Sequence, residues 1–367
     1  MPHAIWIFVL MLLTACAQTP PPRDTFRVAT FNMALNDDRA GGVIERLRGE
    51  DPAVRKLASI IQRVRPDVIL LNEIDFDEAH LAADLFQRRY LEAGADAIRY
   101  PYRFIAPVNT GVFSGIDLNG DGVAAGAEDA FGYGQHPGQY GMLLLSMFPL
   151  DSSRARTFQK LRWQDMPNAE RPHHPDGRVF QADTVWSQLR LSSKSHWDVP
   201  IKTPQGVFHL LASHPTPPVF DGDEDRNGRR NHDEIRFWAD YVVPLRSSWI
   251  IDDQGVRGGL PADAPFVIAG DLNADPLAGA SFNQAINQLL KHRLVNPVQP
   301  RQMRDQAQAN TASFGPVTGE MRVDYVLPAR TLSVLGSGVF WPAEGSAEHA
   351  WIDASDHRLV WVDLRLR

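Results

Sequence analysis

The sequence has only one cysteine, Cys16, so no disulfide can form within the chain. It also has no cluster of lysine and arginine, and its 367 residues carry a formal net charge of −7. Proteins that grip nucleic acid through many phosphates usually show a basic excess or a basic stripe. The composition therefore argues against tight DNA binding, although occasional cleavage of nucleic acid stays compatible with it. With 44% hydrophobic residues and charge spread along the chain, a globular protein is expected.

The amino terminus carries an apolar run, residues 4–13, that is too short to span a bilayer comfortably. Such a run is typical of the apolar region of an export signal. Residues 13–16 (Leu-Thr-Ala-Cys) resemble a bacterial lipobox, which implies a diacylglyceryl group on Cys16 and membrane attachment through it. We predict a lipoprotein signal peptide over 1–15 and a lipidated, proline-rich tether over 16–25. The alternative is a plain cleaved signal, or a buried anchor helix, with an incidental cysteine.

These features predict a location in a bacterial cell envelope, lipid-anchored on the outer-membrane or periplasmic side, or secretion.

From Phe26 onward, strand and helix patterns alternate without a repeat or a linker-like change. The many strands and few helices favour two packed sheets flanked by helices in one domain over 26–367. Strands are predicted over 26–32 and 68–71 and near 102–107, 142–147, 185–191, 207–212, 266–269, 323–327 and 359–366. Helices are predicted before Pro66 and over 81–90, 234–245 and 282–290.

Polar side chains stand at the ends of several of these apolar strands. They are Asn32, Glu73, His214, Asp271, Asn273, Asp324, Asp356 and His357. Any one of them has a simpler explanation, because Asp and Asn favour turns and helix starts. As a set they indicate more, since charged groups buried near a sheet edge are costly unless paired or bound to a metal. Oxygen ligands without cysteine or dense histidine favour Mg²⁺, Mn²⁺ or Ca²⁺ over Zn²⁺.

In this order, the segments resemble the endonuclease/exonuclease/phosphatase superfamily, which includes deoxyribonuclease I-like nucleases, inositol polyphosphate 5-phosphatases and neutral sphingomyelinases. The resemblance extends from Phe26 to Leu366 and is most specific at residues 270–273 (Gly-Asp-Leu-Asn) and 355–357 (Ser-Asp-His). It implies an α/β fold, a four-layer α-β-β-α sandwich of two packed mixed sheets flanked by helices. It also implies metal-dependent hydrolysis of phosphate esters with Mg²⁺ or Mn²⁺ at the active site.

The resemblance assigns roles to the strand-end residues. The implied metal ligands are Asn32, Glu73 and Asp356, and the implied catalytic residues are His214, Asp271, Asn273, Asp324, Asp356 and His357. Asp271 and Asn273 match the pair that orients the attacking water and contacts the phosphate. Asp324 matches the carboxylate that orients His357, and His214 matches the histidine often assigned as general acid. Two imidazoles suit proton transfer near neutral pH. Whether the histidines, or Asp271 with a metal-bound water, serve as base and acid stays open.

Two other segments have the ligand spacing of an EF-hand calcium loop. One contains Asp117, Asn119, Asp121 and Glu128, and the other contains Asp223, Asp225, Asn227 and Glu234. We predict structural Ca²⁺ at one or both, with the second favoured because a helix pattern follows it. A pair of acidic surface turns is the alternative.

Three functions are compatible with these observations. The first is a phosphomonoesterase or phosphodiesterase that acts outside the cytoplasm on a small or lipid-linked substrate, which export and the lack of a basic surface favour. The second is an extracytoplasmic nuclease with the same metal site. The third is a ligand-binding lipoprotein without catalysis, against which the presence of the whole polar set argues. Residues 109–111, 134–140 and 216–220 read as loops close to these motifs, and we expect them to wall the substrate cleft.

Overall fold

The computed structural model describes residues 24–366. The predicted signal peptide, Cys16 and nearly all of the tether lie outside these residues, so the lipid anchor and the export of the chain stay predictions. Between residues 24 and 366, no helix combines the length and the apolar character needed to cross a bilayer.

The described residues form thirteen strands and seven α-helices, several of them very short. The strands are β1 (Phe26–Leu35), β2 (Val68–Ile74), β3 (Tyr102–Phe104), β4 (Met142–Ser146), β5 (Arg156–Thr157), β6 (His196–Thr203), β7 (Gly206–Ser213), β8 (Phe266–Asp271), β9 (Ala312–Ser313), β10 (Glu320–Met321), β11 (Asp324–Pro328), β12 (Ser333–Val339) and β13 (Val360–Arg365). The helices are α1 (Gly42–Arg48), α2 (Pro52–Val64), α3 (Leu81–Phe86), α4 (Asp183–Trp186), α5 (Arg226–Tyr241), α6 (Asn287–Leu290) and α7 (Gly315–Thr318).

Most strands belong to two mixed sheets. The first has six strands in the order β12-β13-β1-β2-β4-β3, and the second has five in the order β11-β8-β7-β6-β5. Within them, β1 pairs with β2 and β7 with β8 in parallel, while the other neighbours are antiparallel. The sheets pack face to face, and the rings of Phe26 and Phe208 stack between them at a centroid distance of 4.9 Å.

Strand β8 shows why the sequence gives four layers. Its side chains alternate between two faces, as the strand geometry requires. Val267 and Ala269 join the core between the sheets, whereas Phe266 and Ile268 join the core beneath α5. Both faces are therefore apolar, and the strand reads as a continuous hydrophobic run.

Helix α2 covers the outer face of the first sheet. Proline stands at its first turn, and the Asp51 side chain caps it by accepting hydrogen bonds from the backbone N–H groups of Ala53 and Val54. Its buried residues Leu57 and Ile61 join the same core as the inner sheet faces. With α5 on the opposite side, the predicted four-layer α-β-β-α sandwich of two mixed sheets is confirmed.

Two element predictions are wrong. The strand predicted over 185–191 is instead the short helix α4 followed by turns, because Trp186 packs on Trp163 with ring centroids 4.9 Å apart. The helix predicted over 282–290 is broken, since Asn283 adopts a left-handed backbone with φ 47°. The sequence reading also omits β6, in which buried polar residues such as His196 obscure the apolar pattern.

Candidate active site

The polar strand-end residues gather where the two sheets meet. Because β1 runs parallel to β2 and β7 runs parallel to β8, the carboxyl ends of each pair lie at one edge of their sheet. Strand β11 is antiparallel to β8, and its register places Asp324 directly opposite Asp271. The first residue of one strand thus joins the last residue of the other, at the same edge.

Asn32 links the two sheets through its side-chain amide. Its Nδ2 donates to Glu73 Oε1 at 3.0 Å and to Asp271 Oδ2 at 3.0 Å. A second amide, from Asn36, donates to Glu73 Oε2 at 3.1 Å. Glu73 and Asn273 both adopt left-handed backbone conformations, with φ 57° and 51°. The left-handed conformation is unfavourable for glutamate, whereas asparagine adopts it more readily, and strained conformations of this kind concentrate at functional sites.

Asp324 fixes the orientation of His357. The Nδ1 of the imidazole lies 2.9 Å from Asp324 Oδ2, and the Thr311 hydroxyl donates to the same oxygen at 2.8 Å. The other ring nitrogen, Nε2, therefore faces the site, where it lies 3.7 Å from Asp271 Oδ2. The Nε2 of His214 lies 3.4 Å from that same oxygen. Asp271 Oδ2 is thus approached by one amide and two imidazoles, and all of these side chains are buried except for the solvent-facing part of Glu73.

Burial and charge set the two histidines apart. Burial opposes the charged imidazolium of His357, but the carboxylates of Asp324 and Asp271 outweigh it and raise the pKa of His357 to about 10. Burial lowers the pKa of His214 well below its usual value, and neighbouring cations act in the same direction. Burial also raises the pKa of Asp271, although the charge of His357 opposes this effect. Near pH 7, His357 is therefore charged and His214 neutral.

The eight strand-end residues together form the catalytic cluster, and two of them, Asn273 and Asp356, lie at its border. The backbone N–H of Asn273 donates to Asp271 Oδ1 at 3.0 Å, and its side-chain amide donates to the Pro215 carbonyl. The side chain of Asp356 is 51% exposed, with its carboxylate 3.9 Å from His357 Nε2. The structure therefore brings together all eight strand-end residues, and the cluster opens to solvent at Asp356 and Glu73.

The donor set suits a hard divalent cation. Asp271, Asp324 and His357 offer ligand atoms that lie within 4.8 Å of one another. However, Asp324 Oδ2 and His357 Nδ1 are engaged in the hydrogen bond between these two residues. A charged His357 also has no nitrogen lone pair to offer to a cation. The accessible carboxylate oxygens belong to Glu73, whose side chain is 23% exposed, and to Asp356. Asn32 contributes through its N–H group, which positions Glu73, so Glu73 and Asp356 are the residues that fit a cation best.

In the first predicted calcium loop, acidic side chains accept hydrogen bonds from the backbone of the loop itself. Asp117 accepts hydrogen bonds from the backbone N–H groups of Gly120 and Gly122 at 2.7 and 2.8 Å. The buried acid of this loop is Asp129, and its neighbour Glu128 is exposed. In the described part of the chain, this loop does not gather three acidic ligand atoms within 4.8 Å of one another. Binding of Ca²⁺ there stays a prediction.

The second predicted calcium loop is wrong in its conformation. Helix α5 carries Asn227 and Glu234 as helical residues, whereas Asp223 and Asp225 precede it. Glu234 lies nine positions after Asp225, which corresponds to about 13 Å along the axis of an α-helix. Glu234 is buried and accepts the backbone N–H of Thr216 at 2.6 Å, so its role is to hold the loop after His214 in place.

Lys194 is a residue of this region that the sequence reading missed. It is only 6% exposed. Burial lowers its pKa, and the nearby carboxylates of Glu73 and Glu234 act in the opposite direction. It lies in a run of serines that reads as an ordinary loop. A signal exists in the strand pairing: His196 of β6 lies opposite Ser213 of β7, so residues just before β6 lie beside those just after β7, where His214 stands.

A comparison with protein families agrees with the fold and the cluster. A model of the Endonuclease/Exonuclease/phosphatase family matches residues 29–357, so the chain belongs to this family. The family covers metal-dependent phosphoesterases and nucleases, and its members are generally hydrolases of phosphate esters. A search of curated protein sequences found no match.

Solved structures share the fold at low sequence identity. The endonuclease/exonuclease/phosphatase from Beutenbergia cavernae DSM 12333 has a TM-score of 0.52 and 19% identity, over 94% of this chain and 72% of that one. A family protein from Leptotrichia buccalis C-1013-b has a TM-score of 0.50 and 12% identity, over 93% and 100%. The human Nocturnin catalytic domain with bound sulfate anion has a TM-score of 0.50 and 13% identity, over 94% of both chains. These identities establish a common fold and no common substrate.

Proposed function

We propose that this protein is a divalent-metal-dependent hydrolase of small or lipid-linked phosphate esters, held outside the cytoplasm by a lipid on Cys16. The observation that carries the catalytic part is the shared oxygen of Asp271, which Asn32, His214 and His357 approach together. The apolar run and the lipobox-like residues 13–16 support the location.

In this proposal the chain's own residues carry out the proton transfers. Asp271 accepts the proton of the attacking water, because its raised pKa suits a base near neutral pH. His357 has Nδ1 fixed by Asp324, so its Nε2–H donates to the phosphoryl group and then to the leaving oxygen. Neutral His214 holds Asp271 in position. A divalent cation held by Glu73 and Asp356 would neutralise charge on the phosphoryl oxygens.

A substrate panel tests the proposal. We expect the purified full-length protein in mild detergent to hydrolyse bis-p-nitrophenyl phosphate or p-nitrophenyl phosphate with Mg²⁺ or Mn²⁺, and to be inactive in EDTA. Plasmid DNA and sphingomyelin in the same panel separate nuclease and lipid activity from small-ester hydrolysis, and Ca²⁺ completes the set of metals. His357→Ala is expected to lower the rate by at least about 100-fold, because it removes the proton donor.

The matched control is His349→Ala, which changes a histidine whose ring contacts the carbonyl of Pro342, outside the cluster. It is expected to keep the wild-type rate. Equal loss in both variants would mean that histidine replacement damages the fold rather than the reaction. No turnover of any substrate with any metal would favour a ligand-binding protein instead.

A further inference from the structure

A cavity of about 540 Å³ adjoins the catalytic cluster. Its wall includes Thr216, which lies two residues after His214, and Lys194, which lies close enough to His214 to lower the pKa of that imidazole. The loops expected to wall the substrate cleft contribute Thr110, Tyr140 and Thr216 to the wall of this cavity. A ligand in this cavity would therefore lie beside the catalytic cluster, in a space with its own lining residues.

Three cations in the cavity wall have no carboxylate partner. The side-chain ammonium of Lys194 has neither a hydrogen bond nor an ion pair within residues 24–366, although the residue is only 6% exposed. Arg190 donates one hydrogen bond, to the side-chain oxygen of Asn109, and forms no ion pair with any described residue. Arg230 donates only to backbone carbonyls, those of Leu191, Phe131 and Arg190.

The nearby carboxylates do not explain these cations. Arg226, which also lines the cavity, is paired with Glu224. By contrast, both carboxylate oxygens of Glu234 accept backbone N–H groups, from Ser193 and Thr216. A buried cation without a partner is costly, and the chain as a whole carries a net charge of −7. The cavity wall also includes the exposed carboxylate of Glu128, so the three cations still outnumber the unpaired carboxylate there. This local excess of positive charge in an acidic protein points to an anionic ligand.

Aromatic side chains form another part of the wall. Tyr133, Tyr140 and Phe220 line the cavity, and Phe220 is 87% exposed. Tyr140 and Phe220 adopt left-handed backbone conformations, with φ 55° and 65°, which are unfavourable for aromatic residues. These rings give the cavity an apolar side that fits the carbon skeleton of an organic ester.

We propose that this cavity is a second anion subsite, formed by Lys194, Arg190 and Arg230, so that the substrate is a compact organic phosphate carrying a second anionic group. That group is a phosphate or a carboxylate, because both accept charge-assisted hydrogen bonds from lysine and arginine. The proposal rests on the proposed function for the assignment of the first phosphate to the catalytic cluster. The subsite itself depends on the cavity and its cations alone.

Calorimetric titration without turnover tests the subsite. The full-length protein in EDTA is titrated with phenyl phosphate, 4-carboxyphenyl phosphate and 1,4-phenylene bisphosphate, which share one ring and differ in the second anion. We expect at least one of the two doubly anionic probes to bind about ten-fold more tightly than phenyl phosphate. The stronger of the two identifies the second group as carboxylate or phosphate.

Lys194→Met and Arg190→Met are each expected to reduce that preference to about two-fold or less, since each removes one charge-assisted donor. Lys291→Met changes an exposed lysine at the end of α6 and is expected to keep the preference. Lys194→Met also removes an unpartnered buried charge, so its melting temperature should not fall, which separates lost binding from lost folding. Equal binding of the three probes, no binding of any, or a preference unchanged in both variants would overturn the subsite. If the protein were inactive in the substrate panel but still preferred a doubly anionic probe, only the proposed hydrolase function would be overturned and the subsite would stand.

Discussion

Replacing Asp271 by asparagine is expected to lower the turnover number for a phosphate ester by about 10²–10⁴-fold, because the amide cannot accept the proton of the attacking water. The fold should tolerate the change. In the folded protein, burial raises the pKa of Asp271 above its unfolded value. Its ionised form therefore destabilises the fold at neutral pH, and the neutral amide removes that penalty. The melting temperature of Asp271→Asn should equal or exceed that of the wild type.

Asp252→Asn is the matched control for this variant. Asp252 is also buried, but its carboxylate pairs at 2.6 Å with Arg156 of β5, an edge strand of the second sheet that is separated from β8 by two strands. Its replacement leaves the charge of Arg156 without its partner, so we expect a lower melting temperature and an unchanged turnover number. Scanning calorimetry on both variants measures the melting temperatures, and steady-state kinetics measures the turnover numbers. More than a tenth of wild-type activity in Asp271→Asn would exclude Asp271 as the base.

The second large effect is expected for Asp324→Asn. The neutral amide has no negative charge to stabilise the imidazolium of His357. Any hydrogen bond that it accepts from Nδ1 is therefore weaker than the one to the carboxylate. We expect the turnover number to fall by about 10²–10⁴-fold, as when the carboxylate that orients a catalytic histidine is replaced. The pKa of His357, raised to about 10 in the wild type, should fall at the same time.

A nuclear magnetic resonance titration of the imidazole signals measures that change directly. In the wild type, the signal of His357 should stay in its charged form through neutral pH, whereas in Asp324→Asn it should titrate at lower pH. Thr311→Val is a useful companion, because it keeps the carboxylate of Asp324 but removes the hydroxyl that donates to it. The same hydroxyl also accepts from the backbone N–H groups of Val323 and Asp324. This variant should lower activity far less. A pKa of His357 that is the same in the wild type and Asp324→Asn would show that Asp324 does not hold its charge.

The sequence predicts the fold and the centre of the site for a common physical reason. An apolar strand that is buried on both faces, such as β8, leaves a continuous hydrophobic run, and a polar residue at its end stands out. Asp271 and Glu73 are recognisable in this way. Their meeting across the two sheets depends on strand pairing and sheet packing, which the strand patterns alone do not give and which only the family resemblance implies.

What the sequence does not predict depends on tertiary contacts. Lys194 lies among serines without periodicity, and only the pairing of β6 with β7 places it beside His214. The second calcium loop has the right ligand spacing but the wrong conformation. Its residues lead into α5 and form the first half of that helix, in which Glu234 accepts hydrogen bonds from backbone N–H groups of two separate loops. When a helix runs through such a motif, the spacing of the ligand residues along the chain does not bring their side chains together around one point.

The central claim, that the strand-end cluster is a divalent-metal phosphoesterase centre, is tested most directly by metal reconstitution. Protein stripped with EDTA is titrated with Mn²⁺, and both bound metal and bis-p-nitrophenyl phosphate hydrolysis are measured in the wild type and in Glu73→Gln. We predict saturable binding and activation in the wild type. Because Glu73→Gln loses a carboxylate ligand, it should need at least about ten-fold more Mn²⁺ for either signal. Full hydrolysis by the stripped wild type, or identical titrations of both proteins, would contradict the assignment.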